Sequence, residues 1–447
     1  MTAALELAER MLHRRAFEAV VWGVPAVNTE LMFQATSRAV NGDWNQIVHW
    51  SRLPDWKNQT LTPNPDAIYF MPFFDTAQRE PVVLEIPPAD EGSITGSVMD
   101  FWQTPLEDVG PAGVDQGRGG KYLILPPGHS EPVPEGHIAL PSQTYQGYAL
   151  LRSILASGSE ADFTKALEYG RRIRLYPLAE SARPPSTTYL DAAGILFDAT
   201  IPYDVRFFES LARVVGSQPW LERDKAMIDP LRTLGIEKGK AFAPDAKARA
   251  IMTDAAEEAR QWLDLQYESS LSRPFYEEAR WALPTTPGLM KGMQSAFADP
   301  DSYPRDGRGT TYSMAFFCPK RSAAGSYYLM TTKDNEGRPL DGARAYRLTV
   351  PPGVPVRQYW SATAYDRATH AFVRDAARAS RSSQSSGLQV SADGSVEVHF
   401  GPTAPPGKES NWVPTSPKGE FEVLFRFYGP EKSLLEKTWR LPDIVKS

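Results

Sequence analysis

Cysteine and histidine are scarce in this chain of 447 residues. It has a single cysteine, Cys318, which excludes an internal disulfide bond and a zinc centre built on several cysteines. Its six histidines include no His-x-His or HExxH spacing, so the zinc-hydrolase signature is absent. We expect Cys318, within the apolar stretch 314–320, to be a buried small hydrophobic residue rather than a nucleophile.

Long hydrophobic runs and a basic excess are also missing. No apolar run reaches the roughly 18 to 20 residues that a membrane-spanning helix needs. Charges interrupt the first 23 residues throughout, unlike a signal peptide, so we expect a cytoplasmic protein without a membrane span. Lys and Arg total 48 against 54 Asp and Glu, a net charge of −6 that argues against nucleic acid as a partner.

Three motifs of common enzyme classes do not occur. The chain has no GxGxxG fingerprint of a dinucleotide site, no phosphate-binding P-loop and no GxSxG nucleophile elbow. A nucleophilic serine in another context stays open. The sequence requires no cofactor.

Hydrophobic periodicity separates helical from β-structured parts of the chain. Residues 3–23 have helical spacing that Gly23 and Pro25 are expected to end, and a second helix is predicted at about 28–40. The serine-rich tract 379–387 is typical of an exposed loop. Further helices are predicted at 205–215 and 244–267, and strands at 82–87, 97–102, 121–126, 346–350, 358–366, 395–400 and 420–428.

This order of elements predicts a multidomain α+β fold. We expect an N-terminal helical segment (1–58) that packs with the middle helices, a β-sandwich domain (59–142), a helical domain (143–309) and a β domain (310–447). In the last strand, Phe421, Val423, Phe425 and Phe427 should face the core, with Glu422, Arg426 and Tyr428 on the other face.

Asn64, Asp66 and Tyr69 form a polar cluster directly before a strand-like segment. Asn64 and Asp66 lie two positions apart, so on a strand their side chains would share a face. An Asx turn that leads into the strand is one interpretation. A catalytic or substrate contact and a divalent metal site with oxygen ligands are the alternatives.

His49 lies three positions before Arg52, and on a helical turn the two side chains would be neighbours. Such an imidazole, opposite the Asp66 carboxylate, could act as a general base. A packed, hydrogen-bonded histidine is the structural alternative.

Aromatic residues and one arginine complete the set of candidate binding residues. Trp22, Trp102, Trp360 and Trp412 could line a cleft between domains, where ligand pockets commonly form, or could simply pack there. Arg426 could anchor an anionic head group through a bidentate contact, or form a structural salt bridge.

The polar clusters belong to segments that resemble a known two-part family, carrying domain of unknown function 1254 followed by domain of unknown function 1214. Family members usually read Asn-x-Asp-Thr-x-Tyr where this chain has Asn64, Asp66, Ala67 and Tyr69, so a threonine hydroxyl is missing. The resemblance implies a helical domain, an immunoglobulin-like β domain and a jelly-roll-like β domain, but no reaction. The segments that carry it are 22–25, 45–55, 64–87 and 99–102 in the amino half, and 334–352, 359–366, 393–395, 411–421 and 425–430 in the carboxyl half.

The sequence-based hypothesis for function is a hydrolase that acts on an amphiphilic small molecule in an interdomain cleft. His49 and Asp66 would transfer protons, Arg52 would balance charge, and Asn64 and Tyr69 would hydrogen-bond the substrate. Assistance by a divalent metal and assembly into a homo-oligomer stay open. A non-catalytic module that binds a ligand or a protein, and a lyase or isomerase, are the alternatives.

Overall fold

The computed structural model describes residues 3–78, 80–315, 319–321 and 326–447. Cys318, for which burial is predicted, lies outside the described residues. The helices are α1 (Ala3–Val40), α2 (Glu160–Gly170), α3 (Val205–Ser217), α4 (Ile228–Thr233), α5 (Ala246–Leu271), α6 (Pro287–Gln294), α7 (Arg305–Ala315) and α8 (Lys432–Leu435).

The strands fall into an amino-terminal and a carboxyl-terminal group. The first group is β1 (Gln46–His49), β2 (Asn58–Gln59), β3 (Ile68–Asp75), β4 (Val82–Ile86), β5 (Ile94–Asp100), β6 (Pro105–Val109), β7 (Gly120–Leu125), β8 (His137–Pro141), β9 (Gln146–Ser153), β10 (Arg174–Pro177), β11 (Tyr189–Asp191) and β12 (Phe197–Asp198). The second group is β13 (Ser326–Thr331), β14 (Tyr346–Val350), β15 (Trp360–Asp366), β16 (Ser380–Ser382), β17 (Val396–Gly401), β18 (Trp412–Pro414), β19 (Phe421–Tyr428) and β20 (Val445–Lys446).

The first helix is continuous, so the helix end expected at Gly23 and Pro25 is wrong. Pro25 lies inside α1 and cannot donate to the carbonyl of Val21, four positions earlier. Gly309 of α7 approaches that carbonyl so closely that an added Cβ would lie 3.0 Å from the oxygen. All residues from 19 to 32 are buried, and this packing on every side offsets the roughly 3 kcal/mol that an interior proline costs.

The amino-terminal strands form a sandwich that is larger than the sequence predicts. A six-stranded sheet, ordered β11-β1-β3-β9-β5-β6, packs against a four-stranded sheet, ordered β10-β4-β7-β8. Its central strand β9 lies beyond residue 142, and β1 precedes residue 59, so both expected boundaries of this domain are wrong. Because β9 is covered on both faces, its sequence lacks the polar alternation that marks a strand.

The two faces of the six-stranded sheet pack against different partners. Ile68, Phe70 and Phe74 of β3 point into the core between the two sheets. Tyr69 and Phe73 point the opposite way, into the core shared with the helices. The sheet is therefore a central layer of the molecule.

The helical layer is built on α1, which packs against α3, α5 and α7. The sequence predictions for α3 and α5 are confirmed, and each helix begins at an aspartate that caps its first turn, Asp204 and Asp245. The helical part of the middle region begins at Val205 rather than at residue 143, with only α2 before it. Among the described helices, none combines the length and the apolar character that crossing a bilayer requires.

The carboxyl-terminal strands form a second sandwich, with sheets ordered β13-β19-β15-β16 and β18-β17-β14-β20. Phe421, Val423, Phe425 and Phe427 face its core, as the alternation of β19 predicts. The tract 379–387 is not simply an exposed loop: it contains the edge strand β16, with Ser380 and Ser382 buried. The α+β multidomain fold is confirmed, whereas the immunoglobulin-like and jelly-roll-like topologies stay predictions.

Candidate functional site

Polar side chains from both sandwiches meet in what we call the interdomain cluster. In the amino-terminal half, Tyr69 on β3 lies directly opposite Arg152 on β9. In the carboxyl-terminal half, Arg426 on β19 lies directly opposite Tyr328 on β13. The cluster comprises Asn64, Asp66, Tyr69 and Arg152 from the first half, and Tyr328, Tyr359, Tyr365, Arg426 and Tyr428 from the second.

Asn64 organises the turn before β3 and also bridges the two halves. Its Oδ1 accepts a hydrogen bond from the Asp66 N–H at 3.1 Å, which is the Asx turn that the sequence allows. Its Nδ2 donates to the Tyr428 hydroxyl at 2.6 Å, and its own backbone N–H donates to the Tyr69 hydroxyl at 2.9 Å. Asn64 therefore fixes the spacing between β3 and β19.

Arg426 is buried at the centre of the cluster, with 3% of its surface exposed. Its Nη1 donates to the Thr363 hydroxyl at 2.9 Å, and its Nη2 donates to the Thr62 carbonyl at 3.0 Å and to the Tyr365 hydroxyl at 2.5 Å. These partners are two hydroxyls and a carbonyl, so the salt bridge considered from sequence is not what holds it. Burial alone would lower the pKa of Arg426, but the surrounding phenols raise it, and the guanidinium stays charged.

Tyr328 lies between two guanidinium groups. Arg152 Nη1 donates to its hydroxyl at 3.2 Å, Ser326 Oγ donates at 2.8 Å, and the Arg426 guanidinium lies 5.6 Å from the ring centre. Burial works to raise the pKa of Tyr328, but the charges of Arg152 and Arg426 and the Ser326 hydrogen bond outweigh it and lower the pKa to about 8. A substantial fraction of this phenol is therefore ionised in mildly basic solution.

Asp66 has the opposite shift. Burial raises the pKa of its carboxyl to about 6, although Arg426 and a hydrogen bond from Ser380 Oγ at 3.2 Å oppose the rise. The Tyr359 hydroxyl donates to the Asp66 carbonyl at 3.2 Å, which ties the turn to the carboxyl-terminal half. The carboxyl thus changes protonation in weakly acidic solution.

Three members of the cluster keep part of their surface in contact with solvent. Asp66, Arg152 and Tyr328 are half-buried, whereas Tyr365 and Tyr428 beside them are 0% and 2% exposed. Burial is nevertheless the largest influence on the pKa of each of the three. Arg152 Nε is itself a buried atom, and it has no hydrogen-bond partner among the described residues.

His49 and Arg52 lie apart from this cluster, so the grouping of imidazole, guanidinium and carboxylate expected from sequence is wrong. His49 lies opposite Phe70 on β3, which places it on the sheet face away from Tyr69. Its Nδ1 lies 3.1 Å from the Leu190 carbonyl and its Nε2 lies 3.2 Å from Arg171 Nη2. Arg52 is exposed, and its guanidinium lies against Gly194.

The four tryptophans do not line one cleft. Trp22 and Trp102 pack together where α1 meets the first sandwich, with ring centres 4.6 Å apart. Trp360 stacks on Phe425 in the core of the second sandwich, and Trp412 Nε1 donates to the Gly401 carbonyl at 2.9 Å. These contacts are packing and backbone contacts in two separate places.

Five members of the cluster were not predicted from sequence as site residues: Arg152, Tyr328, Tyr359, Tyr365 and Tyr428. Arg152 is the last residue but one of β9, in a region expected to be helical, and a charged residue after the apolar run 147–151 was the available signal. The four tyrosines carried no local signal of a site, since tyrosine is common on half-buried strands, although three of them lie in segments that carry the family resemblance. The described residues contain no group of three or more His, Cys, Asp or Glu side chains that could hold a metal ion.

Comparisons with known proteins match the two halves of the chain separately. A family model described as a protein of unknown function (DUF1254) matches residues 44–177, and one described as a protein of unknown function (DUF1214) matches residues 325–432. The interdomain cluster takes its residues from both matched regions. No curated protein matches the chain.

Two solved structures are similar to the chain. The VPA0106 protein from Vibrio parahaemolyticus is 18% identical with a TM-score of 0.58, covering 98% of this chain and 100% of that chain. An uncharacterized protein from Burkholderia cenocepacia is 13% identical with a TM-score of 0.42, covering 98% of this chain and 94% of that chain. The first likeness supports the fold alone. Because the two model matches together span more than half of the residues, the chain belongs to the two-part family in which a DUF1254 region precedes a DUF1214 region.

Proposed function

We propose that the chain is a hydrolase that acts on a small amphiphilic molecule with an anionic head group, and that Tyr328 is its general base. The observation that supports this most is the position of the Tyr328 phenol beside Arg152 and Arg426, which lowers its pKa to about 8. A general base is most effective when its pKa lies near the working pH. Tyr328 thus takes the role that the sequence suggested for His49.

The anionic head group is assigned to Arg152. Arg152 is half-buried as a residue, and its buried Nε has no hydrogen-bond partner among the described residues, so a bound carboxylate would supply the acceptor that this N–H lacks. Arginine binds carboxylates through paired N–H donors.

The proposed reaction is a general-base hydrolysis. The Tyr328 phenolate takes a proton from a water molecule, whose oxygen attacks the electrophilic carbon of an ester or amide in the substrate. The same phenol then returns the proton to the leaving oxygen or nitrogen as its bond to carbon breaks. Arg152 and Arg426 stabilise the negative charge that develops beside them.

The test compares Tyr328→Phe with Tyr327→Phe, which removes the neighbouring hydroxyl on the opposite strand face. A panel of carboxylate-bearing esters and amides is incubated with each protein in water labelled with heavy oxygen. The proposal expects labelled acid from the wild type and from Tyr327→Phe, and a kcat/KM lower by about 10²–10⁴ in Tyr328→Phe. Equal turnover in both variants contradicts it.

The same assay separates the alternative functions. A lyase that eliminates a group, or an isomerase, would give product without heavy oxygen from the solvent. Carboxylate binding that depends on Arg152, with no turnover of any compound, would favour a binding module.

A further inference from the structure

We propose that His370, held by Glu422, is a positioning residue of the interdomain cluster that fixes the Thr62 carbonyl to which Arg426 donates. Its effect on turnover rests on the proposed function, but its effect on the cluster does not. The series of contacts begins at His370, in the turn after β15, and ends at the Arg426 guanidinium.

Two residues with strained backbone conformations are hydrogen-bonded to each other in the middle of this series of contacts. The Thr62 N–H donates to the His370 carbonyl at 2.7 Å, with φ of 37° at Thr62 and 56° at His370. Positive φ is rare for residues other than glycine, and for a β-branched threonine it is an outlier. Such strain persists only where the surroundings enforce it, and it concentrates at functional sites.

The Thr62 carbonyl connects this strained pair to the cluster. Its oxygen accepts a hydrogen bond from Arg426 Nη2 at 3.0 Å. The next carbonyl, of Pro63, accepts one from the Tyr365 hydroxyl at 2.6 Å, and the same hydroxyl accepts one from Arg426. The Thr62 carbonyl is therefore one of three groups that hold the Arg426 guanidinium in place, and the Pro63 carbonyl positions another, the Tyr365 hydroxyl.

The His370 side chain is anchored from the other side. Its Nδ1 lies 2.9 Å from Glu422 Oε1, and its ring stacks on Tyr267 with centres 5.0 Å apart. Glu422 is 0% exposed and also accepts the Tyr267 hydroxyl at 2.7 Å. A buried carboxylate with two directed donors holds the imidazole in one orientation.

Arg367, in the turn after β15, places its positive charge between this anchor and two acidic residues of helix α5. The Arg367 guanidinium lies 4.4 Å from the Tyr267 ring centre and its Nε is 3.9 Å from Glu422. Arg367 also pairs with Asp264 at 3.2 Å and with Glu268 at 3.4 Å. The anchor thus joins the helical layer to β19, the strand that also carries Arg426.

Glu422 and Arg426 lie on the same face of β19, four positions apart. The contacts that lead from Glu422 through His370 and Thr62 to Arg426 therefore begin and end on the same strand. Movement of the turn that contains His370 would displace the Thr62 carbonyl while β19 stays in place. This geometry assigns His370 an effect on Arg426 without a direct contact.

The test uses His370→Gly as its main variant, because glycine accepts positive φ and removes the imidazole without straining the turn. His370→Asn is the conservative variant, since asparagine tolerates this conformation and offers an N–H donor to Glu422. His399→Gly, at a buried histidine on β17 in the other sheet, is the matched control. The readout is the ultraviolet absorbance of tyrosinate as a function of pH. Each protein is titrated with and without the additional substitution Tyr328→Phe, so that the difference between the two curves gives the ionisation of Tyr328.

We expect the ionisation assigned to Tyr328 to move upward in His370→Gly by about one pH unit, because a displaced opposite charge changes a pKa by about 1–3 units. It should return toward the wild-type position in His370→Asn and stay unchanged in His399→Gly. If Tyr328 ionises in His370→Gly at the same pH as in the wild type, the proposal is overturned, whatever the unfolding free energy of the variant. Turnover that survives Tyr328→Phe would instead contradict the proposed function, and the titration would still decide the role of His370.

Discussion

The side-chain amide of Asn64 donates a 2.6 Å hydrogen bond to the hydroxyl of Tyr428, across 364 positions of the chain. This bond joins the turn before β3 to the end of β19. Since Asn64 and Arg152 come from one half, and Tyr328 and Arg426 from the other, neither half holds the interdomain cluster alone. The interdomain cluster is thus one of the polar contacts that join the two matched regions of this chain.

The first prediction concerns this bond. Asn64→Ala and Tyr428→Phe should each lower the free energy of unfolding by about 1–3 kcal/mol, since each leaves a buried partner unsatisfied. The double variant should lose less than the sum, with a coupling of about 0.5–3 kcal/mol. Urea unfolding of the wild type, the two single variants and the double variant gives the four free energies of this double-mutant cycle. Strict additivity would show that the two side chains do not interact.

The second prediction concerns Asp66. Because its folded pKa is raised from 3.8 to about 6, the neutral form is favoured in the folded state, and the associated stability is lost as pH rises through about 6. Asp66→Asn should therefore gain stability relative to the wild type between pH 4 and pH 6, by at most about 3 kcal/mol. The exposed Asp43, changed to Asn, is the control. A pH-independent difference contradicts this assignment.

The third prediction concerns His49, whose folded pKa lies below 6.5 because burial disfavours the cation, with Arg171 adding to the effect and Asp191 opposing it. A lowered histidine pKa supplies stability at neutral pH that is lost as pH falls through the folded value. Relative to His49→Gln, the wild type should therefore lose stability on acidification below pH 6.5. The tyrosinate titration should be the same in both proteins, as His49 lies on the other sheet face. A shifted Tyr328 ionisation in His49→Gln would show that the faces communicate.

Much of the fold follows from local pattern. In β19 the alternation of Phe421, Val423, Phe425 and Phe427 gives the strand and its inner face, and Asp245 marks the start of α5. The sequence pattern does not predict the secondary structure where a segment is buried on every side. Pro25 should end a helix, yet α1 continues because neighbours cover it on every side, and β9 has no polar alternation because both its faces are covered.

The candidate site was predictable only in part, for a related reason. Asn64, Asp66 and Arg426 stand out as polar residues against strand patterns, and the structure brings them together. His49 has the same kind of signal, but one residue of register places it on the opposite face of the sheet. Tyr328 acquires its pKa from Arg152 and Arg426, which are distant in sequence, so no local pattern could reveal it.

The fourth prediction concerns Arg152 as the site for an anionic head group. Octanoate should bind the wild type and should bind Arg152→Gln about 10–100-fold more weakly, since a charge-assisted hydrogen bond contributes about 1.5–3 kcal/mol. Calorimetry with octanoate and with neutral octanol separates the contribution of the head group to the binding free energy from that of the apolar body. Arg172→Gln, on the surface of the first sandwich, is the matched control. Equal octanoate affinity in both variants would remove Arg152 from the site.

Titration of tyrosinate absorbance in the folded protein shows without any substrate whether the pKa of Tyr328 is lowered. Of the 18 tyrosines, one should ionise near pH 8 in the wild type, and this step should be absent in Tyr328→Phe and present in Tyr327→Phe. Arg152→Gln should move the step upward toward the ordinary value of 10. A wild-type curve with no tyrosine ionising below pH 9, or a step near pH 8 that persists in Tyr328→Phe, would show that Tyr328 is not a base of lowered pKa.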